Sequence, residues 1–209
     1  MSRLVLFFDT ETTGLPDFNS PPEADHQPRL VQLGCILSPI EHYDPRAEVN
    51  LLVSPDGFTI PEQATAIHGI DNEMAMDSGM DLRTAVMIFH ELACKSNIVV
   101  AHNIQSDNFV MRGECSRMKL SNPADAEYND LQCTMLQSMP ILRIPGRYGK
   151  YKWPSLKEAY FHFFRSPLLR EHDAMADVRA CALIWYEMRR RNEQRAADLV
   201  YAQEKNKTN

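Results

Sequence analysis

No stretch of this 209-residue chain is apolar for long enough to span a membrane, since a spanning helix needs about 20 consecutive apolar residues. The opening run from Leu4 to Phe8 stops at Asp9, too early for a secretory signal, and is expected to be a buried strand. Cys-x-x-Cys is missing, and the five cysteines (Cys35, Cys94, Cys115, Cys133 and Cys181) are odd in number and widely spaced. That excludes a disulfide framework or a cysteine-built zinc site, and it predicts reduced, mostly buried thiols in a cytoplasmic compartment. Positive charge is in deficit, with 22 Lys+Arg against 28 Asp+Glu and a net charge of -6. Such a balance argues against a protein that coats nucleic acid through a bulk positive field. Internal repeats and low-complexity tracts are also absent. What remains, at 44% hydrophobic and 24% charged residues, is one ordinary globular domain with a sizeable core.

The patterning predicts five strands. Leu4–Phe8 and Asn97–Ala101 read as continuous buried runs, Leu30–Leu37 and Val49–Val53 as their neighbours, and Leu131–Thr134 as a short fifth. The first three lie close in sequence without a long helix between them, so an antiparallel meander is expected. Helices are predicted over Pro61–His68, Leu82–Cys94, Ser106–Arg117, Ser155–Phe164 and Asp173–Arg191. Ser155 and Glu158 have the spacing of a capping box. Residues 16–28, with four prolines, and residues 138–154, with three prolines and two glycines, read as loops. From Asn192 the chain turns polar, and residues 192–209 are expected to fray as a tail on a domain spanning residues 1–191. The order of elements implies a mixed α/β sheet covered by helices.

Chemistry-bearing residues gather at the element junctions. Asp9 and Glu11 end the first strand two residues apart, so both side chains point to one side at its carboxyl end. Paired carboxylates repel unless a cation joins them, and their oxygens suit Mg²⁺ or Mn²⁺. His102-Asn103 follows another buried strand, and Asp107 falls in the first turn of the next helix, where an acid also simply suits the helix dipole. His172 and Asp177 flank the start of the last helix, whose Ala174, Ala176, Ala180 and Cys181 permit close approach to a sheet.

Taken together, D-x-E, H-N-x-x-x-D and H-x-A-x-x-D in this order resemble the three motifs of the DnaQ-like exonuclease family, in its histidine-bearing DEDDh branch. Phe8-Asp9-Thr10-Glu11-Thr12-Thr13-Gly14-Leu15 is similar to the first motif nearly letter for letter. Ala66-Ile67-His68-Gly69-Ile70 resembles the intervening helix–turn, and Ser155-Leu156-Lys157 the helix before the third motif. The resemblance spans roughly Leu4–Met188. It implies an RNase H-like fold, a mixed five-stranded sheet flanked by helices, and two-metal hydrolysis of nucleotides from 3′ ends. Asp9, Glu11, Asp107 and Asp177 would hold two Mg²⁺ or Mn²⁺ ions, and His172 would be the general base.

By the same resemblance, Thr12, Thr13, Gly14 and Leu15 would hold the terminal nucleotide, with Leu15 wedged against its base. His68 and Asn103 are candidate sugar or phosphate partners, although a histidine at a helix C-terminus also suits the dipole. Ser106 stands where the family often has an apolar residue, and Phe109 is a candidate to supply that packing. Residues 143–153 interleave Arg143, Arg147, Lys150 and Lys152 with Tyr148, Tyr151 and Trp153, without an acid. Such a loop suits single-stranded nucleic acid, and its aromatics suit equally well the role of anchors packed onto the body. Arg189–Arg191 and Arg195 fit a solvated helix end.

The leading expectation is therefore a free-standing 3′–5′ exonuclease acting on DNA and releasing nucleoside 5′-monophosphates. The alternatives are an exoribonuclease or oligoribonuclease on the same scaffold, or a proofreading subunit attached to a polymerase. Nothing after the last predicted helix is apolar enough to indicate a polymerase dock. Two divalent ions would bring the charge balance to roughly -2 by the ion count this chemistry needs.

Overall fold

The computed structural model describes residues 3–207 apart from 126 and 128, with side chains described up to residue 199. The chain builds β1 (Leu4–Thr12), β2 (Leu30–Pro39) and β3 (Ala47–Leu52), then α1 (Glu62–His68), α2 (Asn72–Ser78) and α3 (Leu82–Lys95). There follow β4 (Ile98–Ala101), α4 (Ile104–Arg117), β5 (Asp130–Cys133), α5 (Thr134–Leu142), α6 (Leu156–Phe164) and α7 (Ala174–Lys207). The strands form one five-stranded sheet in the order β3-β2-β1-β4-β5. β1, β2 and β3 are antiparallel neighbours, as the meander predicts, while β4 and β5 run parallel to β1. This is the mixed sheet expected of an RNase H-like fold.

The sheet is covered on both sides because β1 is apolar on both sides. Leu6 and Phe8 pack with Val86 and Phe89 of α3 and with Val110 and Met111 of α4. Val5 and Phe7 face the other way, against Val178, Cys181 and Trp185 of α7. The Phe7 ring meets Trp185 edge-on with centroids 5.4 Å apart. Each such fully buried side chain contributes about 1.5–3 kcal/mol by leaving water, so this pairing fixes the height of α7 along β1. All five cysteines are free, and only Cys94 is exposed.

Three elements depart from expectation. Residues 134–142 form α5 rather than the end of a strand and the start of a loop. Pro140 suggested a breaker, but it lies in the last turn, and the chain leaves the helix at Arg143 with φ 51°. α2 is a helix that the patterning does not predict, capped by Asp71, whose carboxylate accepts from Met74 N–H at 2.8 Å. The tail does not fray at Asn192, because α7 continues to Lys207. Residues 192–199 are exposed on all sides, which accounts for their polarity. Strong helix formers and i,i+4 contacts such as Arg189–Glu193 at 3.6 Å and Gln194–Asp198 at 3.0 Å sustain it. Residues 208–209 of the expected tail lie outside the described residues.

Candidate active site

β1 alternates, so Asp9 and Glu11 share the side of Val5 and Phe7 and point toward α7. Thr10 points the other way and reaches α4. There its backbone N–H and hydroxyl both donate to Asp107 Oδ1, at 3.0 and 2.8 Å. Asp107 is thus locked at the start of α4, 7% exposed. Asp177, 9% exposed, sits in the first turn of α7. Its Oδ2 accepts from the backbone N–H of His172 at 3.1 Å. His172 has φ 65°, a conformation that L residues seldom adopt without tertiary support. The bend leaves its imidazole on the exposed rim, and one ring nitrogen and single carboxylate oxygens of Glu11 and Asp177 lie within 4.8 Å of one another.

The carboxylates perturb each other strongly. Burial first, then the charges of Asp107, Asp177, Glu11 and Asp173, hold the Asp9 carboxyl well above its ordinary range. Burial followed by Asp177, Asp107 and Asp173 pushes Glu11 to about 8. Asp107 rises to about 7, its burial outweighing the hydrogen bonds from Thr10. Asp177 rises to about 6 by burial, partly offset by the bond from His172. Four acids so placed are unfavourable together unless positive charge joins them. Asp177 Oδ1 is buried and has no hydrogen-bond partner. A buried carboxylate oxygen without a donor, among other carboxylates, fits a hard divalent cation. Glu11 and Asp177 lie nearest to His172, and Asp9 and Asp107 complete the acidic set.

A cavity of about 460 Å³ opens beside the acids. Thr12, Thr13, Gly14, Leu15 and His68 line it, as do Ile67 and Ser106. Leu15 projects almost free of protein contact, 92% exposed. His68 Nδ1 accepts from Ile70 N–H at 3.1 Å, while its Nε2 is buried without a partner. Burial lowers the His68 pKa. Asn103 and Phe109 are not on this wall. Asn103 is an exposed residue in the left-handed conformation at the start of α4, φ 71°. Phe109 packs edge-on against Phe18, centroids 5.1 Å apart, and supports the 14–28 loop instead.

Several supporting residues escaped the sequence reading. Gly34 pairs with Asp9 across the β1–β2 ladder. A Cβ there would stand 2.6 Å from the Ala174 carbonyl oxygen, so glycine is what lets α7 bring Asp177 down onto the sheet. A glycine inside a strand is the available signal for such an approach. Gln32 Oε1 accepts from Ala174 N–H at 3.1 Å, and Asp173 Oδ1 from Met175 N–H at 3.0 Å and Ala176 N–H at 3.3 Å. Together they cap α7. Thr13 is tied to Arg29 by reciprocal bonds, its N–H to Arg29 O at 3.0 Å and Arg29 N–H to its hydroxyl at 2.9 Å. Arg29 in turn grips fully buried Glu114 at 2.9 Å.

The sequence profile of the exonuclease family RNase_T matches residues 6–185. The chain belongs to this family. It is 30% identical over 179 residues to the uncharacterized exonuclease CP81 of Escherichia phage 186, covering 83% of this chain and 82% of that one. It is 26% identical over 182 residues to the PolC-type DNA polymerase III of Caldanaerobacter subterraneus subsp. tengcongensis, covering 87% of this chain but 11% of that protein. Among solved structures, E. coli exonuclease I in complex with a dT13 oligonucleotide superposes with a TM-score of 0.72 at 19% identity. It covers 95% of this chain and 43% of the exonuclease I chain. Exonuclease I of Methylocaldum szegediense gives a TM-score of 0.67 at 23% identity, over 96% of this chain and 43% of that one. The RNase H-like fold of this DnaQ-like exonuclease domain is thereby shared, and the chain spans less than half of the exonuclease I chains. Among the described residues, no helix is long and apolar enough to cross a membrane.

Proposed function

We propose that the chain is a 3′–5′ exonuclease. On this reading it hydrolyses phosphodiester bonds at the 3′ end of DNA, prefers single-stranded ends, and releases nucleoside 5′-monophosphates. One observation carries the reading. Asp9, Glu11, Asp107 and Asp177 converge beside His172, one buried carboxylate oxygen lacks a donor, and the cavity next to them is walled by Thr12–Leu15. Family membership supports the nuclease activity. The E. coli exonuclease I relative, crystallised with a dT13 oligonucleotide, supports a single-stranded DNA substrate.

The four carboxylates would hold two Mg²⁺ or Mn²⁺ ions, which supply positive charge to the phosphate and lower the pKa of water. The chain's own residues do the rest. Thr12–Leu15 and His68 bind and orient the terminal nucleotide, whose cavity they line. His172, on the rim and within reach of Glu11 and Asp177, takes the proton from the attacking water. Asp177 Oδ2, bonded to the His172 backbone, fixes where that imidazole stands. Leu15 separates the terminal base from the next.

The test is digestion of 5′-labelled single-stranded DNA, duplex DNA and RNA with Mg²⁺, Mn²⁺ or EDTA. A ladder shortening by single nucleotides from the 3′ end, fastest on single-stranded DNA and abolished by EDTA, is expected. Cleavage that persists in EDTA, or survives Asp9→Ala with Asp177→Ala, overturns the proposal. Faster digestion of RNA moves the substrate to the ribonuclease alternative.

A further inference from the structure

We propose that residues 143–153 form a second nucleic-acid contact, which holds the strand on its way to the acids. This rests on the nuclease reading above, because it names where that enzyme grips the rest of its substrate.

After α5 the chain closes a short hairpin. Gly146 N–H donates to Lys150 O at 2.9 Å, Lys152 N–H to Ile144 O at 3.0 Å, and Lys150 N–H to Arg147 O at 3.2 Å across the tip. Tyr148 and Gly149 at the tip both have positive φ, 56° and 70°, as a type I′ turn requires. A Cβ on Gly146 would stand 2.7 Å from both Lys150 O and Lys152 N, so the hairpin closes around a glycine. The loop is therefore shaped before any ligand arrives, which reduces the ordering cost of binding.

Its side chains do little for the fold. Tyr148 is 96% exposed and Trp153 65% exposed, so the anchoring role for these rings does not hold. A tyrosine in a left-handed turn with its ring in water bears backbone strain without gaining burial. Lys152 pairs with Glu158 at 2.6 Å, whereas Arg143, Arg147 and Lys150 have no ion pair among the described residues. No acid lies between 143 and 153. In a chain with net charge -6, three unneutralised cations beside open aromatic faces are a local exception. Another cavity, about 630 Å³ between β3 and α7, mixes acids with its cations. Its Arg179 is paired with Glu48 at 2.9 Å, and Asp173 lines it beside Arg170.

The hairpin is fastened at the catalytic end of the sheet. His102 follows β4 directly and precedes Asp107 on the next helix. Its Nε2 meets Pro154 O at 3.0 Å and its Nδ1 meets Thr134 Oγ1 at 2.9 Å. A carbonyl only accepts, so Nε2 carries the proton and Nδ1 accepts from the threonine hydroxyl. Pro154 adjoins Trp153, so one peptide bond joins the exposed tryptophan to a residue held by His102 at the carboxyl end of β4. Bases stack on Trp153 and Tyr148 while Arg143, Arg147 and Lys150 follow the phosphates. Such a platform tolerates any sequence.

The experiment measures binding of labelled single-stranded DNA of increasing length by fluorescence anisotropy in EDTA, where no metal-dependent cleavage intervenes. Wild-type affinity is expected to rise with length until the hairpin is spanned. Tyr148→Ala with Trp153→Ala should weaken binding of a long strand by roughly tenfold or more, stacking being lost at two bases. Arg147→Glu with Lys150→Glu should weaken it and flatten its dependence on salt. All four side chains are exposed, and circular dichroism verifies the fold of both variants. Equal affinity of both variants and wild type overturns the proposal. So does a change in self-association by sedimentation without a change in DNA affinity, which makes the hairpin a protein contact. Hairpin-dependent binding without nuclease activity would sink the nuclease reading alone.

Discussion

Asp177 divides its two oxygens between two tasks. Oδ2 holds the His172 backbone, and Oδ1 is buried without a donor. His172 is thereby placed by its main chain while its side chain stays free on the rim. Replacing it by alanine should lower kcat by about 10²–10⁴-fold, the usual contribution of a positioned base. Calorimetric titration with Mn²⁺ should still detect metal binding, because the carboxylates remain. Loss of metal binding in His172→Ala would instead make the imidazole a ligand. The carboxylates themselves were legible in the sequence, since i and i+2 in a strand must share a side. The surroundings were not. The motif pattern alone points Phe109 toward the nucleotide, whereas in the fold its ring packs on Phe18, a contact between segments far apart in the chain.

At the scale of elements, the site depends on how low α7 sits over β2. Gly34 permits that height, with the Ala174 carbonyl 2.6 Å from where a Cβ would be. Gly34→Ala should therefore raise the α7 start, destabilise the fold by about 1–3 kcal/mol as overpacking does, and displace Asp177. A displacement of about 1 Å costs on the order of 10²-fold in rate. A thermal melt and a kcat measurement together check this, and unchanged values in both would show that the helix has room to move. On the other face, Glu114 of α4 is fully buried and receives Arg29, Leu30 N–H at 3.1 Å and Arg117 at 3.4 Å. Glu114→Ala leaves these partners uncompensated and should cost about 3–5 kcal/mol by denaturant titration. It should also loosen Thr13 through Arg29, raising KM more than it lowers kcat.

For the whole molecule, the acidic cluster links stability to pH and metal. Glu11 with a pKa of about 8, Asp107 at about 7 and raised Asp9 hold protons in the folded state that an unfolded carboxylate releases near pH 4. Folded protein binds more protons in that interval, so metal-free stability falls as pH rises through it. His102, pushed down to about 4 by burial, acts in the opposite sense below about 6.5, where its unfolded imidazole titrates. The clear window is therefore above pH 6.5. In EDTA the Tm should fall from pH 6.5 to 8.5, and Glu11→Gln should flatten that slope. Mg²⁺ or Mn²⁺ should raise the Tm more at pH 8.5 than at 6.5. A metal-free Tm that rises across this range would contradict the burial of the cluster.

Local pattern alone determined the five strands, most of the helices and the shared side of Asp9 and Glu11, while the full acid set followed only from the resemblance of the three motifs taken together. Alternation in β1 assigns side chains to faces, and the D-x-E, H-N-x-x-x-D and H-x-A-x-x-D order is covalent. Tertiary structure decided what those patterns meet. Gly34 meets the Ala174 carbonyl of α7, and the Phe109 ring meets Phe18, contacts between segments far apart in the chain. The same holds for the opening deficit of positive charge. Net charge is a sum over the chain, whereas binding responds to where the charges lie. Only the fold gathers the acids at one end of the sheet and leaves the cations of residues 143–150 unpaired on a hairpin pinned to that end.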